Sequence, residues 1–438
     1  MKTKKILRQI SILALVLLGA VTSVKAQYLL NSDSAFKAGA ANSGRIWGYA
    51  FSDYYFKGHS DSLGRGGSNQ YTGIPKNRSA FQSRRIYLGY DYNITTKFSA
   101  ELLLAAEDNF PAGEPAPTSS TSGDELLNNK LSFYIKLANI RWKNVWKGTD
   151  LVVGQVATPS FPLLTEKVWN YRSIERTITD IRRTPSYDMG ITLQGVFDPA
   201  TKNFGYDVMV GNGSSAKPEA DNFKWFYGDV YGYFLNKKLV VDLYADYERL
   251  HWTPTWHNSR QMLKGFIAYN SAANAKGMNP GTGFTIGVEG FVNNLKQDLT
   301  VTPIAAPSTP TNIDNVANGI SFYVHGDIVK TKLRFFARYD MYNPTTKINN
   351  NVYSKYIANT GNYNDGSFGA AGSNSNPDDT YKQEFLTLGL DFTPAKNVHI
   401  MPNIWYNHYA SQLANVTGAA KGDYDMVYRM TFYYVFGK

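Results

Sequence analysis

Apolar and polar residues take turns with a period of two along most of the chain beyond residue 44. In Phe98–Glu107, the residues Phe98, Ala100, Leu102, Leu104 and Ala106 fall on one face, and Ser99, Glu101, Leu103, Ala105 and Glu107 on the other. The same division sets Ile86, Leu88, Tyr90 and Tyr92 against Tyr87, Gly89 and Asp91, and Leu239, Val241, Leu243 and Tyr247 against Val240, Asp242, Tyr244 and Asp246. Near the end it sets Leu386, Leu388 and Leu390 against Thr387, Gly389 and Asp391, and Tyr428, Phe432 and Tyr434 against Arg429, Thr431 and Tyr433. Such alternation marks strands with one apolar and one polar face. It predicts sixteen strands, near 45–56, 81–92, 97–107, 131–142, 149–156, 187–197, 204–211, 223–234, 239–250, 262–270, 283–292, 319–329, 332–342, 383–393, 398–409 and 424–436.

The connections alternate too. Those after even-numbered strands are short, as at 93–96, 143–148, 198–203, 235–238, 330–331 and 394–397, with 271–282 a longer turn. Those after odd-numbered strands are mostly long, as at 57–80, 108–130, 157–186, 293–318 and 343–382. Short turns at one end and long loops at the other define an up-and-down barrel in an outer membrane. The predicted fold is therefore all-β, a sixteen-stranded antiparallel transmembrane barrel, with strands near the 9–11 residues a bilayer requires. Backbone facing hydrocarbon must satisfy every hydrogen bond, and a closed barrel does so. Trp47, Tyr90, Tyr92, Trp142, Trp225, Tyr342 and Trp405 stand near strand ends and read as interface girdles.

The start of the chain is different. Lys2, Lys4, Lys5 and Arg8 precede the apolar run Ile10–Val21, and Val24-Lys25-Ala26 supplies small residues for cleavage before Gln27. Residues 1–26 read as a signal peptide, 27–43 as a short periplasmic segment and 44–438 as the barrel. So short a segment before the first strand leaves no room for a plug or docking domain. Removing the signal peptide lowers the net charge from +10 to +5, which takes away the main support for nucleic-acid binding. Charged residues are only 18% of the 438, and beyond the leader no apolar run is long enough for a membrane helix. The absence of cysteine excludes disulfides, Cys-ligated metal and thiol chemistry. The six histidines, His59, His251, His257, His325, His399 and His408, form no zinc motif, and no nucleophile elbow or phosphate loop is present. No catalytic residue, metal or cofactor is expected.

The candidate chemistry lies in 157–186. Thr165 reads as a helix cap with Glu166 in the first turn, Tyr171, Ile174, Ile178 and Ile181 form an apolar stripe, and Pro185 ends the element. Arg172, Arg176, Thr179 and Arg183 form the neighbouring stripe. An apolar stripe in an external loop needs cover, and the barrel wall supplies it from inside. This third external loop is thus expected to fold inward with one short helix. Lys167, Arg172, Arg176 and Arg183 would then line the constriction as unneutralised cations, with Arg182 adding to the field and Glu166, Glu175 and Asp180 partly offsetting it.

Parity assigns Arg85, Lys136, Arg334, Arg338 and Arg429 to the lumen wall, with Asp91, Glu101, Asp207, Asp229, Asp242, Asp246, Glu289, Asp327, Asp340 and Asp391. The bases lie mainly near the two chain ends and much of the acid on the middle strands, which predicts a transverse field.

Arg84-Arg85-Ile86-Tyr87-Leu88-Gly89-Tyr90 with Lys97-Phe98-Ser99-Ala100 resembles an early hairpin of the phosphate-selective porin O/P family. Gly154-Gln155-Val156-Ala157-Thr158-Pro159 and the following Glu166–Glu175 are similar to its constriction-loop region. The resemblance is specific over about 84–190 and follows the layout of most of the chain. It implies sixteen strands, homotrimers and passive diffusion. The reading is an outer-membrane porin passing small hydrophilic solutes, leaning to anions, with membrane lipid, solute and sister subunits as its partners. A phosphate- or oxyanion-selective channel is the sharper alternative. An adhesion or scaffold barrel acting through 293–318 and 343–382 is the alternative of another class.

Overall fold

The computed structural model describes residues 41–66, 71–107, 131–182, 185–273, 281–358, 380–414 and 416–437. The leader and most of the segment 27–43 lie outside the described residues. The first eight strands are β1 (Ser43–His59), β2 (Ser79–Asn93), β3 (Phe98–Glu107), β4 (Tyr134–Trp146), β5 (Thr149–Ala157), β6 (Tyr187–Val196), β7 (Phe204–Gly211) and β8 (Trp225–Phe234). The remainder are β9 (Leu239–Trp252), β10 (His257–Asn270), β11 (Phe284–Pro303), β12 (Thr311–Val329), β13 (Leu333–Asn343), β14 (Tyr353–Ala358), β15 (Lys382–Ala395), β16 (Val398–Ala410) and β17 (Gly422–Phe436).

Each barrel strand pairs antiparallel with its neighbours, and β1 pairs with both β2 and β17, which closes the sheet. β13 pairs directly with β15, while β14 pairs only with β11. Sixteen strands therefore form the cylinder. No described helix is long and apolar enough to cross a membrane; strands do the crossing.

The outside of the cylinder is apolar. Leu88, Leu102, Ile140, Ile191, Val230, Leu243, Ile267, Ile286, Phe322, Leu388 and Phe432 are all exposed. Their strand neighbours Asp91, Asp229, Asp242, Glu289, Arg338, Asp391 and Arg429 are buried inside. This inverts the usual arrangement of a water-soluble protein and matches a hydrocarbon solvent. At the short-turn end, Lys396-Asn397 joins β15 to β16 with Asn397 at φ 64, a left-handed conformation that asparagine tolerates better than most residues.

Two expectations are corrected by the fold. Trp47, Trp225, Tyr342 and Trp405 are buried and face inward, so they are no girdle; Tyr90 and Trp142 do face outward. Trp47 instead lies across Gly89, where a Cβ would meet its ring at 2.3 Å. Strand-end position alone does not tell the two faces apart. The stretch 293–318 is not a free loop: β11 and β12 continue as one hairpin, and β14 pairs with β11 at Leu299–Pro303, beyond the last β10–β11 pair at Ser259 and Lys296. Leu299, Val301 and Tyr356 close a small apolar cluster there. The ladder also carries a bulge. Phe51 pairs with Arg85 and Ser52 with Ser83, so Arg84 is the extra residue and Arg84 and Arg85 both turn inward.

Leu243, near the middle of β9, tests which face meets lipid. Leu243→Arg should lower the refolding free energy in detergent or lipid by about 2–4 kcal/mol. Thr201→Arg, in a short turn, should change it by less than about 0.5 kcal/mol. Urea midpoints of refolded protein read the difference.

Candidate functional site

The loop after β5 folds into the barrel, but not as one helix. It carries α1 (Thr165–Trp169) and α2 (Ile178–Arg182), separated by an irregular stretch. Asn170 stops α1 by adopting the left-handed conformation at φ 60. The β-branched run Ile174, Thr177, Ile178, Thr179 and Ile181 also weakens helix formation. Thr165 does not cap α1; its hydroxyl accepts from Lys264 Nζ at 3.0 Å. Thr177 serves the start of α2, where its Oγ1 accepts the Asp180 N–H at 3.3 Å.

The apolar stripe is covered by the wall. Tyr171, Ile174, Ile178 and Ile181 are buried. Trp169, Tyr171 and Ile174 pack with Val240, Phe266, Tyr323, Phe336 and Met401, which come from β9 to β16. Ile178 reaches Gly319, where its Cδ1 lies 3.0 Å from the position of an added Cβ. Polar anchors complete the docking. Arg84 donates to the Ser173 carbonyl at 3.0 Å, Arg429 to the Ile174 carbonyl at 3.0 Å, and Arg338 to the Arg176 carbonyl. Trp405 Nε1 donates to the Glu175 carboxylate at 2.9 Å, and Thr179 to Glu289.

The other side of the loop confronts β2, β3 and β4. Arg172 pairs with Glu166 and, at 2.6 Å, with Asp180; Arg176 lies 3.9 Å from Glu175 and 4.0 Å from Asp180. On the facing wall, Glu107 takes Arg85 at 3.2 Å and Lys136 at 2.5 Å. Arg172 and this triad feel one another electrostatically. The constriction cations are therefore paired with carboxylates, which corrects the expectation of unneutralised guanidinium groups. The cause is sequence-local: Glu166, Glu175 and Asp180 lie on the same short loop. Arg172 and Arg176 keep 14% and 19% of their side-chain surface exposed. Lys167 is half-buried on α1, and Arg183 lies outside the described residues.

The wall residues chosen by parity are buried, except Glu101 and Asp327, which are half-buried. Arg334 pairs with Asp327, Arg338 with Asp340, and Asp242 with Lys264 at 2.8 Å. Asp246 accepts from the Tyr244 hydroxyl at 2.6 Å, and Glu101 from Asn139 at 3.2 Å. The expected transverse field is blunted. Asp53, Glu107 and Asp425 sit among the bases near the closure, and Lys264 sits among the acids.

Sequence reasoning missed a second inward loop, between β1 and β2. Tyr71 is fully buried, donates to Asp53 at 2.5 Å and packs on Tyr55 and Trp405. Lys57 holds the Tyr71 carbonyl at 2.6 Å and Asp425 at 2.5 Å. Arg65 pairs with Asp61 at 2.6 Å and caps the Ala419 carbonyl at 2.9 Å. Asp53 also lies 3.3 Å from Arg84 and 3.8 Å from Arg429. The two inward loops are thus fastened to one charged cluster. The only signal for this in the sequence was an aspartate on an inward strand position with no obvious partner.

A sixteen-stranded cylinder with a loop docked across its lumen is the porin fold. No family model matches the chain, and no curated protein does. Solved structures are similar in fold. The outer-membrane channel DcaP of Acinetobacter baumannii has a TM-score of 0.54 at 10% identity, covering 90% of this chain and 98% of that one. OmpF of Salmonella typhi, in complex with daunomycin, gives 0.53 at 10% identity over 90% and 98%. An anion-selective porin from Comamonas acidovorans gives 0.51 at 10% identity over 90% and 100%.

Burial, outweighing the attraction of Arg172, raises the Glu166 carboxyl above its ordinary value. Glu175 shifts the other way: burial pushes it up, but Arg176, Arg84 and the Trp405 N–H together bring it below. On acidification Glu166 therefore takes its proton ahead of Glu175, and Arg172 loses one of its two partners. The anion-to-cation permeability ratio should rise as pH falls from neutral. Reversal potentials in a salt gradient measure it, and Glu166→Gln should remove most of the pH dependence.

Proposed function

We propose that the chain is an outer-membrane porin, a channel for passive diffusion of small hydrophilic solutes. One observation carries this reading: the loop after β5 is docked on the β9–β16 wall inside the closed sheet, with Arg172 within electrostatic reach of Arg85, Glu107 and Lys136. A loop fixed across a barrel narrows the path without a moving part. The charges on both sides would keep that path wet and favour hydrated solutes over apolar ones. The apolar outer band fits an outer-membrane location, and residues 1–26 fit export across the inner membrane.

The finer reading is a mild preference for anions. Arg172 and Arg176 keep part of their surface exposed, and Arg85 and Lys136 on the wall lie within electrostatic reach of Arg172. Because each has a carboxylate within 4.0 Å, the preference is weak rather than exclusive. The structural similarity to an anion-selective porin agrees with this direction. The resemblance to the phosphate-selective family suggests an oxyanion channel as a sharper form, and a homotrimeric assembly. A second reading is favoured by the β11–β12 hairpin, which with β14 builds a small sheet beyond the end of β10. It makes the long-loop end a platform for adhesion.

Planar bilayers separate these readings. Ohmic current that scales with salt supports the porin, and saturation by phosphate supports the oxyanion channel. A correctly folded barrel that carries no current supports the platform. The double change Arg172→Glu with Arg176→Glu should move the reversal potential toward cations. An unchanged reversal potential would take this face of the loop out of the conduction path.

A further inference from the structure

We propose that the inner wall from β17 through β1 to β4 carries a subsite for neutral saccharides, with tyrosine rings as its platform. The proposal rests on the channel reading and names a solute class for it. Odd-numbered residues of β1 face the lumen, where Trp47 and Phe51 join Tyr87 in a buried apolar floor. Tyr49, Tyr134 and Tyr433 pack on that floor and are only half-buried. The rings touch in series. Trp47 stacks on Tyr49 with centroids 6.4 Å apart, Tyr49 on Tyr87 at 4.4 Å, and Tyr433 meets Tyr49 edge-on at 6.2 Å. Tyr134 stacks with Tyr187 at 6.2 Å, and Lys136 Nζ lies 5.2 Å from the centre of the Tyr87 ring and 4.9 Å from that of Tyr187. Tyr134 and Tyr187 begin β4 and β6 at the long-loop end, whereas Tyr433 packs on His399 beside the short turn. The row therefore follows the axis of the barrel. The apolar cluster on the opposite wall is covered by Trp169 and Tyr171 of the inward loop. Among the described residues, neither inward loop contributes to the cluster under Tyr49.

The charges beside the row select the solute. Tyr49 lies within electrostatic reach of Arg172 and Glu166 on the inward loop. Four cations, Arg85, Lys136, Arg172 and Arg176, are matched by four carboxylates, Glu107, Glu166, Glu175 and Asp180, at 4.0 Å or less. A charged solute finds no unmatched partner in such a set. A neutral polyol uses both signs at once: its hydroxyls donate to carboxylates and accept from guanidinium and ammonium groups. A pyranose also carries a patch of C–H bonds on its ring face, and the negative face of a tyrosine ring attracts these weakly positive hydrogens. Rings beside interleaved donors and acceptors suit that two-sided chemistry. A purely apolar aromatic solute would take the rings but displace water from the charges without replacing its hydrogen bonds.

Maltotriose added to planar bilayers in potassium chloride is the test. The sugar should lower wild-type conductance in a saturable manner. Tyr49→Leu and Tyr433→Leu should each raise the half-blocking concentration by about fivefold or more, while Tyr49→Phe and Tyr433→Phe, which keep the ring, should stay within about twofold of wild type. Each block is scaled to the same variant's sugar-free current, so a change in pore width does not enter. A conducting wild type that maltotriose does not block overturns the proposal. So does block that survives in both leucine variants, a loss in the phenylalanine variants equal to that in the leucine ones, or benzoate blocking at lower concentration than maltotriose. If potassium chloride itself is not conducted, the channel reading fails separately. Calorimetry of maltotriose with the barrel in a sugar-free detergent then reads the platform alone, and absence of binding to the wild type overturns it.

Discussion

A chain that meets hydrocarbon on its outside has nowhere to put its charges but inside. That constraint governs this barrel. A charge left on the lipid face costs about 2–4 kcal/mol near the midplane, so the strands turn most of their Asp, Glu, Lys and Arg to the lumen and leave exposed ones such as Arg249 and Glu384 toward strand ends. The lumen is not bulk water. Asp53, Lys57, Asp242 and Lys264 are almost wholly buried there. A buried ion deprived of its partner costs about 3–5 kcal/mol, whereas an exposed pair is worth about 0–1 kcal/mol. The interior is therefore under pressure to pair every charge, and the loops supply what the wall lacks.

This explains how irregular backbone can lie inside a barrel. A loop in a narrow lumen has carbonyls with no strand or helix to satisfy them. Arg84, Arg429 and Arg338 answer three of them, at Ser173, Ile174 and Arg176. The same arginines need carboxylates, and Asp53 and Asp340 provide them. Asp53 in turn receives the Tyr71 hydroxyl from the other inward loop. The docking of one loop and the docking of the other are thus mutual conditions. Neither is held by apolar burial alone.

Much of this was legible in the alternation. Period two separates the faces wherever the ladder is regular, and so the inward positions of Arg85, Lys136, Arg338, Asp242 and Glu289 follow from counting. Counting fails where the ladder slips, and the bulge opposite Ser52 turned Arg84 inward against its parity. Aromatic residues at strand ends are ambiguous for another reason. Trp47 and Trp405 serve the interior and Trp142 the lipid, and residue type does not distinguish the two. The loop residues were harder still. Spacing placed the apolar stripe of Tyr171, Ile174, Ile178 and Ile181 against a wall, but could not see that Asn170 would break the helix. Nor could it see that the arginines beside the stripe would find Glu166 and Asp180. The hold of Asp53 on Tyr71 joins parts of the fold that no local pattern connects.

Pairing also decides how such a lumen can discriminate. Two unit charges about 4 Å apart attract by about 4 kcal/mol where the effective dielectric is near 20. From further away they act as a dipole, whose field fades faster than that of a lone charge. Arg172 between Glu166 and Asp180, and Glu107 between Arg85 and Lys136, are arrangements of this kind. A solute must come close before it feels them, so contact geometry matters more than net charge. A cation that stays unpaired against this background acts over a longer reach. Among the described residues, Arg182 has no carboxylate partner and donates to Gln383 instead. Selectivity in a lumen built this way depends less on how many basic residues line it than on which of them the fold leaves without a carboxylate.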